Sequence, residues 1–277
     1  MKKKDITAWV VISDTHIGSQ LGLCPESGIM LDEGGMYYPN EIQKALWIHW
    51  QEFWKKKVPE MTEGMPYGLI FNGDLIEGVH HSATCQVSSN IKDHILAAEQ
   101  ILSPLVDKAR GPLYVIRGTP AHVGTSGANE EELARILGAI PNSAGQYARY
   151  ELWKRIGPFL AHFTHHISTV GSQYAEATAV HRELMECFTE AARHGEEIPD
   201  IVVRSHRHRY VKTEVATYKG TGIGVTTPAW QAKTGFVYKI AARNNHPQFG
   251  GIVILVNKKG ELEIRKKVWS PKRGEIE

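Results

Sequence analysis

Cysteine is scarce in this 277-residue chain: Cys24, Cys85 and Cys187 are all it has. An odd number without paired spacing excludes a disulfide framework and a cysteine-held structural zinc, and it fits a reducing compartment. Long apolar runs are missing as well. Ile6 to Ile12, after the Lys2 to Lys4 run, is too short to cross a bilayer and has no small-residue cleavage site behind it. It is expected to be a strand, not a leader. Charge of one sign is lacking too. A net charge of +2 points to no strong attraction for nucleic acid or membrane. The basic residues near the C-terminus, such as Arg265, Lys266 and Lys267, are expected to form a solvated face. No repeat or low-complexity segment is visible. These absences predict a cytoplasmic protein with no membrane partner. With 42% hydrophobic residues the chain can bury a sizeable core.

Histidine is what the chain has. Fourteen are present, and His80-His81, His165-His166 and His206 with His208 cluster. The organising stretch is Leu69 to Gly78. Its apolar run, Leu69 to Phe71, predicts a buried strand that stops abruptly in Asn72-Gly73-Asp74. A carboxylate at the end of a buried strand is costly unless a positive partner meets it, and a metal ion is one such partner.

The same arrangement recurs along the chain. Ile6 to Ile12 breaks into Ser13-Asp14-Thr15-His16, and Leu113 to Ile116 runs into Arg117-Gly118-Thr119-Pro120-Ala121-His122. A hairpin over Tyr150 to Thr164 ends in His165-His166, and Ile201 to Val203 leads to His206 and His208. Five predicted strands thus end in Asp or His, where open α/β sheets gather their ligands. Between them, helices are predicted over Glu41 to Lys57, with Ile42, Leu46, Trp50 and Phe53 as the apolar stripe, and over Ile91 to Arg110. Ser103-Pro104 should kink or restart the second. Further helices are predicted over Glu130 to Leu137 and Tyr174 to His194, with Gly195 as a terminator. Residues 19 to 40 are expected to be a long loop, and short strands should follow Tyr210, one of them Phe236 to Ala241. Strand–helix alternation followed by strands predicts an α/β layered α-β-β-α sandwich with two packed mixed sheets, as one domain over residues 1–277.

In order, Asp14-x-His16, Gly73-Asp74, Gly118…His122, His165-His166 and His206-x-His208 resemble the calcineurin-like metallophosphoesterase superfamily. Its pattern is Asp-x-His, Gly-Asp, Gly-Asn-His, a lone His, and Gly-His-x-His. The resemblance implies that Asp14, His16 and His208 hold one divalent ion, that His165 and His206 hold a second, and that Asp74 bridges them. His122 takes the catalytic position, with Asp74 as the other catalytic group. Imidazole and carboxylate suit Mn2+ first, with Fe, Zn or Ni as alternatives. Two departures stand out. Ser205 replaces a glycine, and Gly118-Thr119-Pro120-Ala121-His122 is longer than Gly-Asn-His and has no Asn. Thr119, Asn90, Asn72 or a water would then complete the second site. His166 lies where glycine is usual, and Glu77 and Arg117 are candidates for supporting the ligands or touching phosphate.

The implied activity is phosphoester hydrolysis by a metal-activated water. A phosphodiesterase or nuclease is expected, since the Gly-Thr-Pro-Ala-His turn resembles phage and prophage phosphoesterases; nucleic acid or a nucleotide would be the substrate. The alternatives are a phosphomonoesterase acting on nucleotides or phosphoproteins, and a binding scaffold with a degenerate metal site. The aromatic segment 19–57 and the Trp230 turn are expected to wall the substrate site.

Overall fold

The computed structural model describes residues 6–80, 84–124, 126–168, 175–240 and 246–271. Its strands are β1 (Ala8–Ile12), β2 (Ile29–Met30), β3 (Met36–Tyr37), β4 (Tyr67–Asn72), β5 (Arg110–Ile116), β6 (Ala148–Arg149), β7 (Leu152–Ile156), β8 (Phe159–Phe163), β9 (Ile201–Arg204), β10 (Val211–Thr217), β11 (Gly220–Thr226), β12 (Phe249–Val256) and β13 (Leu262–Trp269). Two mixed sheets result, ordered β13-β12-β1-β4-β5-β6 and β10-β11-β9-β8-β7. Within them β1, β4 and β5 are mutually parallel, as are β8 and β9.

Side-chain alternation explains why the sheets stack. Every residue of β1 is buried, yet its two faces serve different cores. Trp9 and Val11, with Ile70, Ile252 and Ile254, meet Phe163, Ile201, Val203 and Val225 of the second sheet. Ala8, Val10 and Ile12 point the other way, toward α1 (Glu41–Glu52), α3 (Ile91–Ala109) and α5 (Ala128–Ile136). The long helix α6 (Glu176–His194) covers the outer face of the second sheet, ending at Gly195 with φ 67°. The layers are therefore α-β-β-α, as the strand pattern predicts. Short helices α2 (Val58–Met61), α4 (Pro120–Val123) and α7 (Gly235–Ile240) complete the fold, and a π-helical turn, Phe53–Lys57, joins α1 to α2.

Four local expectations change. Ile42 is 46% exposed, because Gln43 takes the buried position instead. Gln43 forms the capping box with Asn40 and donates to the Ser19 carbonyl at 2.9 Å. Pro104 does not restart α3, which runs unbroken through it. Leu102 and Leu105, buried on either side of it, hold one continuous helix against the sheet, offsetting a proline cost of roughly 3 kcal/mol. Gly235–Ile240 is a helix and not a strand, started by Thr234, whose carbonyl and hydroxyl accept from Tyr238 and Val237. Residues 19–40 contain the β2–β3 hairpin and are pinned to α3, where Asp93 accepts from the Asp32 amide at 2.7 Å and Gln100 donates to Gly28.

Trp50 and Phe53 are buried, as the apolar stripe predicts, but Trp230, expected to wall the substrate site, is core as well. Trp50 and Trp230 are 1% and 0% exposed, meeting edge to face at 4.8 Å with Phe53 alongside. Replacing Trp230 by Ala should therefore cost roughly 3–5 kcal/mol of stability, whereas Ile42→Ala should change it by no more than about 0.5 kcal/mol. Urea unfolding measures both. A Trp230→Ala protein as stable as the parent would return that ring to the solvent-facing wall.

Candidate metal centre

The parallel strands β1, β4, β5, β8 and β9 all end at one edge of the sandwich, so the loops after them converge. The loops behind β1 and β4 also zip together. Asp14 N donates to Gly73 O at 2.9 Å, His16 N to Asp74 O at 3.1 Å, and Ile17 N to Leu75 O at 3.0 Å. This pairing continues the β1–β4 ladder through residues in left-handed backbone. Asp14, His16, Asp74, His206 and His208 have φ between 42° and 69°. Such a conformation costs a non-glycine residue on the order of 1–3 kcal/mol and persists only where surroundings enforce it. Glycine is required at two neighbouring points. A Cβ on Gly118 would lie 2.1 Å from Asp74 Oδ1, and one on Gly73 (φ 87°) 2.4 Å from His165 Nδ1.

Four overlapping groups of one carboxylate and two imidazoles result among the described residues: first Asp14, His16, His208; second Asp74, His165, His206; and two that include His122, namely His16, Asp74, His122 and Glu77, His80, His122. Within each, one potential ligand atom per residue lies within 4.8 Å of the others. In the first, Nε2 of His208 is 3.3 Å from Asp14 Oδ1 and 3.2 Å from His16 Nε2. In the second, Asp74 Oδ2 is 2.9 Å from His165 Nε2 and 3.8 Å from His206 Nδ1. Thr119 Oγ1 sits inside the second group, 3.0 Å from Asp74 Oδ2, 3.2 Å from His206 Nδ1 and 3.4 Å from His165 Nε2. The longer turn therefore delivers a neutral oxygen among these atoms. Asp14 Oδ1 is buried and accepts no hydrogen bond, an unmet anionic oxygen that a cation would satisfy. The donor set fits a divalent transition metal.

Electrostatics point the same way. Burial favours the neutral form of Asp14, yet the charge of His165 and the nearby imidazole of His208 hold it down at about 2. Asp74, fully buried, is likewise held well below the usual carboxylate range by His165. Burial opposes charge on His165, but Asp74 and Asp14 push it up to about 10. Its Nδ1 donates to the Asn72 carbonyl at 2.7 Å, which turns Nε2 toward the carboxylates. Burial lowers His208, leaving it neutral and suited to ligation.

Glu77, a candidate support from the sequence, does hold a ligand, His16, whereas Glu130 and His94 carry no sequence signal. Buried Glu77 accepts from His16 Nδ1 at 2.9 Å and Gln231 Nε2 at 2.8 Å, and lies 3.2 Å from His80 Nε2. These bonds keep it ionised against its burial and fix His16 with Nε2 facing His208. Glu130 accepts from the amides of Leu75 and Gly118, at 3.1 and 2.6 Å, tying together the turns on either side of Asp74. Burial and the Asp74 charge raise it to about 7. Nothing in the Glu130-Glu131 pair marks the first as buried. His94, which carries no motif, is also buried, accepting from the Gly78 amide and approaching the Ser88 carbonyl.

His122 stands on the short helix α4 instead of an open turn. Its Nδ1 donates to the Glu77 carbonyl at 2.7 Å, and its ring meets His16 edge to face at 4.5 Å and His80 at 4.4 Å. Burial, then the His16 charge, depress it to about 4. It is neutral at pH 7, with a free Nε2. A cavity of about 550 Å³ opens beside it, lined by His80, Asn90, Ile91, Ala121 and Asn129 among others.

Other expected contacts lie elsewhere. Arg117 turns away from the centre. It donates to the carbonyls of Ala148 and Ser126, pairs with Glu131 and packs on the Tyr150 ring. Asn90 caps α3, its side-chain oxygen accepting from Lys92, and lines the cavity beside His122. His166 is exposed beside His206, ring centres 5.5 Å apart, outside all four groups. His162, which carries no motif, stacks on Trp153 in the second sheet, beside Arg204 and Cys187. His81 lies outside the described residues.

No protein-family model matches the chain, and no curated protein does. Solved structures similar to it include Vps29 of Entamoeba histolytica complexed with Zn2+ (11% identical, TM-score 0.40, covering 94% of this chain and 98% of that one). Vps29 of Chaetomium thermophilum is 12% identical with a TM-score of 0.39, covering 96% and 97% of the two chains. The sulfate thiohydrolase SoxB of Thermus thermophilus is 11% identical with a TM-score of 0.40, covering 98% of this chain and 57% of that one. At such identities and scores the functional reading rests on the residues themselves.

Proposed function

We propose that the chain is a metal-dependent phosphoesterase of the calcineurin-like type, acting on phosphodiesters. The observation that carries this reading is the pair of abutting Asp-His-His groups with a neutral His122, held by the Glu77 carbonyl, at their edge. Asp14, His16 and His208 would hold one divalent ion, His165 and His206 a second, with Asp74 between them and Thr119 offering a weak oxygen to the second. When bound, two such ions, Mn2+ by donor chemistry with Fe, Zn or Ni as alternatives, supply Lewis-acid charge and an activated water at neutral pH. The protein's part is positioning and proton transfer. His122 keeps its own proton on Nδ1, so Nε2 can take up a proton and release it to the leaving oxygen.

A diester is favoured by what surrounds His122. No Lys or Arg is among the described residues lining its cavity, so a dianionic monoester finds no fixed cation there, whereas a neutral ester arm finds room. Nucleic acid and dinucleotides are substrates with such arms. Among the described residues no helix is long and apolar enough to cross a membrane.

Three measurements test this. The purified protein should bind two ions per chain, and Asp74→Ala should lose both; a variant still holding two by metal analysis would refute the bridging role. Protons compete for the second site. His165 is protonated up to about pH 10 in the absence of metal, so loading it with a cation displaces a proton. Apparent affinity there should rise with pH, by up to about tenfold per unit between pH 6 and 8, and level off above its pKa. Calorimetry in buffers of different ionisation enthalpy counts the protons, and zero release would remove His165 from the ligand set. His122→Ala should lower kcat by roughly 10²–10⁴ with little change in KM or metal content. The loss should be greater on a dinucleotide than on bis-p-nitrophenyl phosphate, whose leaving group needs little protonation. Metal-loaded protein that hydrolyses only monoesters would overturn the diester assignment, and one that hydrolyses no phosphoester would leave a scaffold.

A further inference from the structure

Asp14 turns one oxygen toward the ion groups and the other inward. The inner oxygen, Oδ2, accepts from Ser13 Oγ. Behind Ser13 lies an unbroken buried series. Ser13 Oγ is 2.7 Å from Thr227 Oγ1, Thr227 Oγ1 is 2.7 Å from Ser205 Oγ, and Asn72 Nδ2 donates to Ser205 Oγ at 2.6 Å. Ser13, Thr227, Ser205 and Asn72 are each 0% exposed, so water does not compete. They stand at or just past the ends of β1, β11, β9 and β4, and the series therefore crosses both sheets.

The two ends determine the direction of every proton in between. At the far end the Asn72 amide nitrogen also donates to the Thr164 carbonyl at 2.9 Å, an atom that can only accept, so the amide orientation is settled. At the near end an ionised carboxylate can only accept. Each hydroxyl has one proton to give. Ser13 gives its proton to Asp14, so Thr227 must give to Ser13, and Ser205 must give to Thr227. The competing acceptors, the Pro228 carbonyl for Ser13 and the Arg204 carbonyl for Thr227, lie farther off at 3.4 Å each. Bonds aligned head to tail polarise one another, which strengthens the last bond to the carboxylate.

We propose that Ser205, Thr227 and Ser13 form a one-way donor chain that holds Asp14 in place and leaves Oδ1 free for a cation. Asn72 is then a positioning residue for both ion groups. Its side chain starts the series that ends on Asp14, and its carbonyl oxygen accepts the His165 Nδ1 proton. Ser205, which stands where the resembled pattern has glycine, supplies a hydroxyl without which Thr227 and Asn72 would not be joined. The consequence for metal binding rests on the phosphoesterase reading, but the proton order does not.

The test compares Thr227→Val, which keeps the shape and removes the hydroxyl, with Thr227→Ser, which keeps the hydroxyl, in the full chain. In metal-free wild type, NMR should show exchange-protected hydroxyl protons on Ser13, Thr227 and Ser205, with protection at Ser13 lost in Thr227→Val. Zn2+ titration followed on the imidazole signals should show Thr227→Val weakening the His16–His208 group about 10–100-fold, the usual effect of losing an outer hydrogen-bond partner, with the His165–His206 group and the Thr227→Ser protein within about twofold of wild type. Unprotected hydroxyls in the wild type, an unchanged His16–His208 affinity in Thr227→Val, or an equal loss in Thr227→Ser would each overturn the chain. Protected hydroxyls in a wild type that binds none of Mn2+, Fe2+, Zn2+ and Ni2+ would support the chain and overturn the phosphoesterase reading instead.

Discussion

Two buried carboxylates that repel each other set the terms for this structure. Asp14 and Asp74 are at most 1% exposed, and both face the Nε2 of His165, at 4.0 and 2.9 Å. Neither can be solvated, so each stays ionised through positive charge concentrated between them and the donors of Ser13 and Thr119. In the metal-free protein that charge is a proton on His165. The orphaned Asp14 Oδ1 and the Thr119 hydroxyl aimed at the same region mark how much of this arrangement is suited to a larger cation.

Holding the carboxylates together requires strain elsewhere. The loops after β1 and β4 reach the centre only through left-handed residues, and no glycine relieves Asp14, His16 or Asp74. Their conformation is enforced by backbone bonds between the two loops, by Glu130 gripping the amides of Leu75 and Gly118, and by Glu77 beneath His16. The sheets make this possible. Parallel neighbours in one register bring strand ends level, and the aromatic cluster of Trp50, Phe53 and Trp230 anchors the Trp230 amide, which donates to the Asp14 carbonyl at 2.8 Å. The tryptophans thus serve the site from the core side and not from the substrate side.

The layered architecture was legible in the sequence because periodicity is a local property. Continuous apolar runs announced strands buried on both faces, and the repeated ending of such runs in Asp or His announced where they converge. Misjudged segments were those in which a single polar bond outweighed composition. Gln43 displaced Ile42 from the core by bonding to Ser19, and Thr234 started a helix in a segment of strand-forming residues.

The candidate ligands themselves, Asp14, His16, Asp74, His165, His206 and His208, could be named because the residue types and order of their motifs resemble the metallophosphoesterase pattern. Those properties are carried by the chain in one dimension. Which hydroxyl meets which carboxylate is not. Thr119 among the second group, Arg117 turned outward, Glu130 buried while Glu131 is not, and Thr227 joined to Ser13 across 214 positions were decided only when two sheets packed face to face. A hydrogen bond depends on distances of tenths of an ångström between atoms far apart in sequence, and only the packed tertiary structure determines them.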